Sequence, residues 1–214
     1  MNLVLKEFNG ICIRRWKESD AFDYAELVND PDVMRYIGNG KTRDATTAAS
    51  EISKFQNEID GQGWSRFAVS IGAEGPLLGY TGFARKDYGI DFGMRFLRSY
   101  WGHPSTYISS CLALEYGFTE VGFPSICAIT RNNHFRCVSY LKKLFSIEPA
   151  DGEIDSTAYK MFHITHEHYI NTQMENNRKS MHKQPSIQKE RDERETSSPY
   201  FPKPPTIFPN PAHI

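Results

Sequence analysis

Residues 90–107 read IDFGMRFLRSYWGHPSTY, and their order suggests a place for an anion. A strand runs from Ile90 to Leu97 with Gly93 inside it, a short loop carries Tyr100, Trp101 and Gly102, and a helix opens at Pro104 or Ser105. The first N–H groups of a helix have no intrahelical acceptor, and the macrodipole favours negative charge there, so this order suits a phosphate. Pro104 fixes φ and removes one donor, yet proline is welcome at a first helical position. The hydroxyls of Ser105 and Thr106 can donate in its place, and a protonated His103 can add positive charge. The same residues also make an ordinary helix start, and both readings stand. HITHEHY is the other cluster with chemical potential. As an extended strand it puts His166 and His168 on one face and His163 on the other. Two imidazoles without a partnering cysteine pair do not make a zinc site, so no metal is assigned.

These groups need elements to hold them. Residues 11–16, ICIRRW, read as a first strand. Ser19 caps a helix with an apolar face of Phe22, Tyr24, Ala25, Leu27 and Val28. Asp30-Pro31 starts a short helical turn around Val33, Met34 and Ile37. Residues 46–59 form an amphipathic helix with Ala49, Ile52, Phe55 and Ile59 at helical spacing, closed by Gly61. Strands follow at 65–71 and 77–84, joined by the turn-prone GAEGP. After the strand at 90–97 come a helix at 105–121, a buried strand at 125–129, a helix at 133–145 and a last strand at 159–165. Strand, two helices, three strands, then helix, strand, helix, strand predicts a mixed α/β (α+β) fold, not a doubly wound one.

From Asn171 the composition changes. Seven of the twelve prolines lie beyond it, with the charge run KERDERE among them. Such a segment buries too little apolar surface to offset its ordering entropy, so the expected division is a folded domain over 1–169 and a disordered polar, proline-rich tail over 170–214. PYFPKPPTIFPNP also fits a polyproline ligand for an aromatic groove, with a solvated tail the simpler reading. Hydrophobic residues make up 39% of the chain, enough for a sizeable core in the body. The net charge of −1 gives no general reason to expect nucleic acid or an anionic membrane as partner. Cys12, Cys111, Cys127 and Cys137 show neither CxxC spacing nor disulfide density. With no signal-peptide pattern in MNLVLKEFNG and no membrane-length apolar run, a reducing, cytoplasmic setting is expected.

The order of elements, with IRRWKESDAFDYAELVNDPDVMRYI, LLGYTGFA, IDFGMRFLRSYWG, ALEYGFTEVG, AIT, NN and YLKKLF, resembles the GNAT acyl-CoA N-acyltransferase superfamily. The likeness covers about residues 11–169 and is nearest the branch of ribosomal-protein N-terminal acetyltransferases and their small-amine relatives. It implies a mixed, mostly antiparallel central sheet flanked by helices.

The resemblance also implies roles. The strand at 90–97 would splay from its neighbour, and main-chain groups near Phe96 and Leu97 would hold the pantetheine arm and thioester carbonyl of acetyl-CoA. Trp101, Gly102, His103, Pro104, Ser105 and Thr106 would face the pyrophosphate. That branch usually reads Trp-Gly-Lys-Gly-Tyr-Ala here, so Pro104 replaces a glycine and Thr106 a small residue. Asn133 and Tyr140, seven residues apart, match the Asn and general-acid Tyr of some members, and two helical turns would put both on one face. A one-residue shift would put His134 in the Asn position. Asp91, two residues before Gly93, is the candidate base, with an exposed strand polar as the alternative. The acceptor would lie near residues 29–40 and 150–159, where Tyr36, Asp151, Glu153 and Asp155 suit a cationic amine. Two functions follow: an N-acetyltransferase using acetyl-CoA as co-substrate and a primary amine (a protein N-terminus or a small polar molecule) as acceptor, or a relative that keeps the fold, has lost tight cofactor binding and serves as an interaction module.

Overall fold

The computed structural model describes residues 2–154 and 156–182, with side chains as far as 175. Met1–Thr172 form one compact unit, which holds the sheet and every candidate site residue discussed below. Its frame is an eight-stranded sheet in the order β1-β2-β3-β4-β5-β6-β8-β7. The strands are β1 (Val4–Phe8), β2 (Ile11–Arg14), β3 (Arg66–Ile71), β4 (Leu77–Lys86), β5 (Gly89–Phe96), β6 (Ser125–Arg131), β7 (Ala150–Ile154) and β8 (Thr157–Thr165). Every neighbouring pair is antiparallel except β5 and β6. The helices are α1 (Asp20–Asn29), α2 (Pro31–Met34), α3 (Ala45–Gln62), α4 (Pro104–Glu115), α5 (Phe135–Phe145) and α6 (His166–His182). This is the mixed, mostly antiparallel α/β architecture that the sequence suggests.

Register sorts the side chains into two faces, because alternate residues of a strand point to opposite sides. Arg14, Ala68, Tyr80 and Arg95 stand opposite one another across β2–β5, as do Arg66, Gly82 and Gly93. This face is covered by α1 and α3 through an aromatic cluster: Trp16–Tyr24 at 5.2 Å, Trp16–Phe55 at 5.7 Å and Phe55–Tyr80 at 5.8 Å between ring centroids. The other face carries Phe67, Phe83 and Phe92, and α4, α5 and the turn after α4 cover it. Phe92 meets Phe145 at 5.8 Å and Phe67 meets Tyr116 at 5.3 Å. Burying each of these rings is worth about 1.5–3 kcal/mol.

Several local expectations are corrected. Ser19 makes no side-chain cap. The Asp20 carboxylate instead ties down the chain ahead of the helix, accepting the Lys17 N–H at 2.8 Å while pairing with Arg14. Phe22 is 72% exposed, so the buried face of α1 is Tyr24, Leu27 and Val28. Ala48, not Ala49, is buried on α3, whose end is Gly63 in the left-handed region at φ 85°, two residues beyond Gly61. The helix expected at 105–121 widens into a single π-type turn over Tyr116–Glu120. β1 and β7 are strands that the periodicity missed; each lies at an end of the sheet order. HITHEHY is not one strand: β8 ends at Thr165, and His166 and His168 lie on α6. That helix runs through the start of the expected tail, and residues 183–214, with the polyproline candidate, lie outside the described residues.

Candidate active site

β5 and β6 are parallel, and they meet at one registered pair, Asp91 with Cys127. Beyond that pair no further register joins the two strands, which leaves a gap in the ladder in the middle of the sheet. The Leu97 N–H donates to Leu78 O at 2.9 Å on the β4 side. Alternation along the strand then turns the amide groups of Phe92, Met94 and Phe96 toward the gap. The Phe96 carbonyl already has a partner there, since Trp101 Nε1–H donates to it at 3.0 Å. The break in pairing lies on the stretch of β5 where the splay is expected, with Phe96 at its end and the Leu97 amide committed to β4.

Past Phe96 the chain makes a short helical turn at Arg98–Tyr100 and enters α4. Gly102 sits at φ 79°, a conformation glycine adopts without strain. Pro104 occupies the first turn of α4, where its missing N–H is least needed. The rest of the loop is closed on itself. His103 caps the helix: its Nδ1 accepts the Ser105 N–H at 3.2 Å and lies 2.8 Å from Ser105 Oγ. The Tyr100 carbonyl accepts from the His103 N–H at 3.1 Å and from the Thr106 hydroxyl at 2.9 Å. The Thr106 N–H donates to His103 O at 3.1 Å. An imidazole that accepts through Nδ1 carries its proton on Nε2, so this arrangement uses neutral His103. Ser105 and Thr106 are both buried.

Tyr140 reaches the first turns of α4 from α5. Its hydroxyl donates toward Thr106 O at 3.0 Å and Ser110 Oγ at 2.7 Å. The Ser110 hydroxyl lies 3.7 Å from Met94 Sδ, which places this group beside the gap on the α4–α5 face. Burial pushes the Tyr140 hydroxyl up from its ordinary value, with the Ser110 bond pulling back. Asn133 does not join it. α5 begins at Phe135, and Asn133 is exposed in the turn ahead of it, off the helical face that carries Tyr140. His134 stacks instead on Tyr36, 4.0 Å between centroids and 9° between planes. Burial, then Arg136, pulls its imidazole below the usual range.

Asp91 lies on the opposite face, at the base of the gap. Its Oδ2 takes Arg66 Nη2 at 2.6 Å and its Oδ1 takes the Tyr88 hydroxyl at 3.1 Å. Arg66 also donates to the Asp91 carbonyl at 3.1 Å. Gly93 makes room for this guanidinium, because a Cβ there would stand 2.8 Å from Arg66 Cζ. The carboxylate is thus the centre of a buried ion pair and not the exposed strand polar that the sequence allowed. Burial, followed by the Asp91 charge, pushes the Tyr88 hydroxyl up, so it stays a donor. Arg66 and Tyr88 were missed by the sequence reading, since nothing in the spacing joins β3 to β5.

Of the acceptor-side candidates, Tyr36 stacks on His134, and Gly38 O accepts from Arg131 Nη2 at 2.7 Å, so residues 36–38 are tied to the turn between β6 and α5. Asp151 pairs with Lys160 across the β7–β8 hairpin, Glu153 is exposed on β7, and Asp155 lies outside the described residues.

Comparison with known proteins agrees with this fold. Solved structures that match include a GNAT-family acetyltransferase from Bacillus anthracis, 19% identical, over 75% of this chain and 98% of that one with a TM-score of 0.65. An acetyltransferase from Agrobacterium tumefaciens is 11% identical, over 74% and 94%, with a TM-score of 0.62. A spermidine N-acetyltransferase from Vibrio cholerae, solved in complex with CoA and spermine, is 14% identical, over 76% and 99%, with a TM-score of 0.59. At these identities the likeness is one of fold. The profile of the acetyltransferase (GNAT) domain matches residues 11–144, which run from β2 through the gap and α4 to α5. More than half of the chain is covered, and the chain belongs to the GNAT acetyltransferase family.

Proposed function

We propose that this chain is an N-acetyltransferase that moves an acetyl group from acetyl-CoA to a primary amine, of a protein N-terminus or a small polar molecule, by direct attack in a ternary complex. The observation that carries this reading is the parallel junction registered at Asp91 and Cys127 alone, beyond which β5 has no registered strand partner on that side. A sheet does not leave main-chain groups open in its interior without a partner to take them. An extended amide-bearing arm is a fitting partner, because it can pair with β5 as another strand would. Acetyl-CoA would supply that arm and an activated acyl group.

The chain's own residues divide the remaining work. The main-chain groups of Met94 and the carbonyl of Phe92 would hold the arm in register. Tyr140, protonated at neutral pH, would give its proton at the α4 side of the gap. Direct transfer is consistent with the cysteines, since burial raises the thiols of Cys111, Cys127 and Cys137 and so disfavours the thiolate an acyl carrier needs. Asp91 would serve as base only if Tyr88 gave way from Oδ1, and we assign it first to holding Arg66. We assign the chain to the branch of ribosomal-protein N-terminal acetyltransferases and small-amine relatives, with the catalytic domain over 1–169, a separate tail over 170–214 and a cytoplasmic setting.

The α4 start fits a pyrophosphate less well. Ser105 N–H and Thr106 N–H are both used internally, and Pro104 has none. Each missing bond to a charged group is worth about 1.5–3 kcal/mol, roughly ten- to a hundredfold in affinity. The His103 ring would have to turn away to release the Ser105 donor. This observation favours the second reading, a GNAT-fold interaction module that no longer holds the cofactor tightly. Isothermal titration with acetyl-CoA separates the two: binding is expected, and no heat up to millimolar cofactor would sink the enzyme. Pro104→Gly restores a donor and is expected to raise cofactor affinity by about threefold or more. Unchanged affinity would put the phosphates somewhere other than this loop.

A further inference from the structure

The face of the sheet under α1 and α3 buries three arginines, and only two of them are satisfied. Arg14 is wholly enclosed and spends its donors on Asp20 Oδ1 at 2.8 Å, Asp20 Oδ2 at 2.7 Å, Ser70 Oγ at 2.9 Å and Arg15 O at 2.9 Å. Arg66 is held by Asp91 and the carbonyls of Gly82 and Asp91. Arg95 is 6% exposed, and its Nε and Nη1 are enclosed with no hydrogen-bond partner. Among the described residues it makes no ion pair either. Its guanidinium lies over the Tyr80 ring at 5.2 Å, on the ring that Arg66 also approaches at 6.0 Å. The nearby carboxylates are taken: Asp91 by Arg66, and Glu51 by Arg43 and the Tyr24 hydroxyl. Those two carboxylates serve Arg43 and Arg66, and among the described residues none pairs with Arg95.

A buried charge with unfilled donors is costly, and a native structure keeps one where something else supplies the counter-charge. Arg95 sits on β5 between Met94 and Phe96, whose amide groups face the gap, so an anion against it would lie next to the reacting amine. The pyrophosphate end, at α4, is on the other face of the sheet. Building on the acetyl-transfer reading, we infer that the acceptor is an amine carrying an oxyanion of its own, a carboxylate or a phosphate, seated on Arg95. The planar guanidinium fork suits either group. The same seat disfavours a polycation, because an ammonium beside an unpaired guanidinium adds like charge in a poorly solvated site.

The test uses the full chain and a panel of small amines: glycine, β-alanine and 4-aminobutyrate for carboxylates at increasing reach, O-phosphoethanolamine for phosphate, propylamine without an anion, and spermidine. Thermal melting without acetyl-CoA reads binding, and thiol release from acetyl-CoA reads turnover. At least one anionic amine is expected to raise the melting temperature by roughly 2–8 °C at saturation, and to exceed propylamine about ten- to a hundredfold in kcat/KM. The carboxylate and phosphate arms show which oxyanion is preferred. In Arg95→Met, which removes the unpaired charge and is expected to fold, both preferences collapse, and Arg95→Lys restores part of them. No melting shift with any anionic amine, a shift that survives in Arg95→Met, or a kcat/KM greatest for spermidine or propylamine overturns the inference. A melting shift that depends on Arg95 but comes with no turnover would leave the oxyanion seat standing and overturn acetyl transfer instead.

Discussion

At the scale of single residues, Tyr140 shows how a proton donor can be well supplied and poorly placed at once. Burial raises its hydroxyl from an ordinary value of 10.0, so it carries its proton throughout the physiological range. That proton now points at Thr106 O and Ser110 Oγ. To act at the gap it must leave these partners, and Ser110, 3.7 Å from Met94 Sδ, marks the direction in which it would move. If Tyr140 is the acid, Tyr140→Phe lowers kcat about a hundredfold and changes acetyl-CoA affinity by less than about twofold. Steady-state kinetics beside a cofactor titration decide the matter. Equal losses in both would make Tyr140 a clamp on the first turn of α4. The bond itself should be worth about 1 kcal/mol of stability, measurable in the same variant.

At the scale of elements, the approach of α4 to the sheet rests on Gly117, in the wide turn that follows the helix. A Cβ at this position would stand 2.6 Å from Phe83 Cζ and 3.1 Å from Phe123 Cδ2. Both rings are buried, and they pack against each other at 5.1 Å, so neither can retreat. Gly117→Ala is therefore expected to destabilise the domain by about 1–3 kcal/mol, seen as a lower urea midpoint at unchanged slope. An unchanged midpoint would mean that the turn shifts freely. Much of this level is legible in the chain: Asp30-Pro31 marks the start of α2, the Trp101-Gly102 loop marks the entry to α4, and apolar runs mark β3 to β6. What stays hidden is what joins distant segments. Gly93 reads as a weak point in a strand until Arg66, from β3, is seen to need its space. Arg95 reads as a polar residue of an alternating strand, because its burial depends on Tyr80 and on two helices earlier in the chain. The self-capping of His103 depends on a side-chain rotamer, which residue type alone does not fix. β1 and β7 lie at the two ends of the sheet, and only pairing with a neighbour makes them strands.

At the scale of the whole molecule, the fold gathers tyrosines into places where the phenolate is disfavoured. Tyr24, Tyr88, Tyr107, Tyr116, Tyr140 and Tyr169 all have their hydroxyls pushed up, with burial as the first cause in each. For Tyr169 the rise is to about 12. In the unfolded chain all of them ionise near 10. Between that value and the raised ones the folded state holds more protons than the unfolded state, so stability must fall as pH rises through this window. Below it the two states bind equal numbers of these protons, and the tyrosines leave stability flat. The raised thiols of Cys12, Cys111, Cys127 and Cys137 act in the same sense at lower pH, so melting temperatures are expected to decline from about pH 8 and to drop more steeply above about pH 10. Tyrosinate absorbance should rise in two stages, with the exposed phenols titrating first and the buried set appearing together with loss of the fold. Tyr140→Phe removes one member of the set and should make the alkaline fall shallower, even though it removes a hydrogen bond. A slope that stays the same would mean that the Tyr140 phenolate is tolerated inside the fold, and would weaken its assignment as a group that keeps its proton until the reaction takes it.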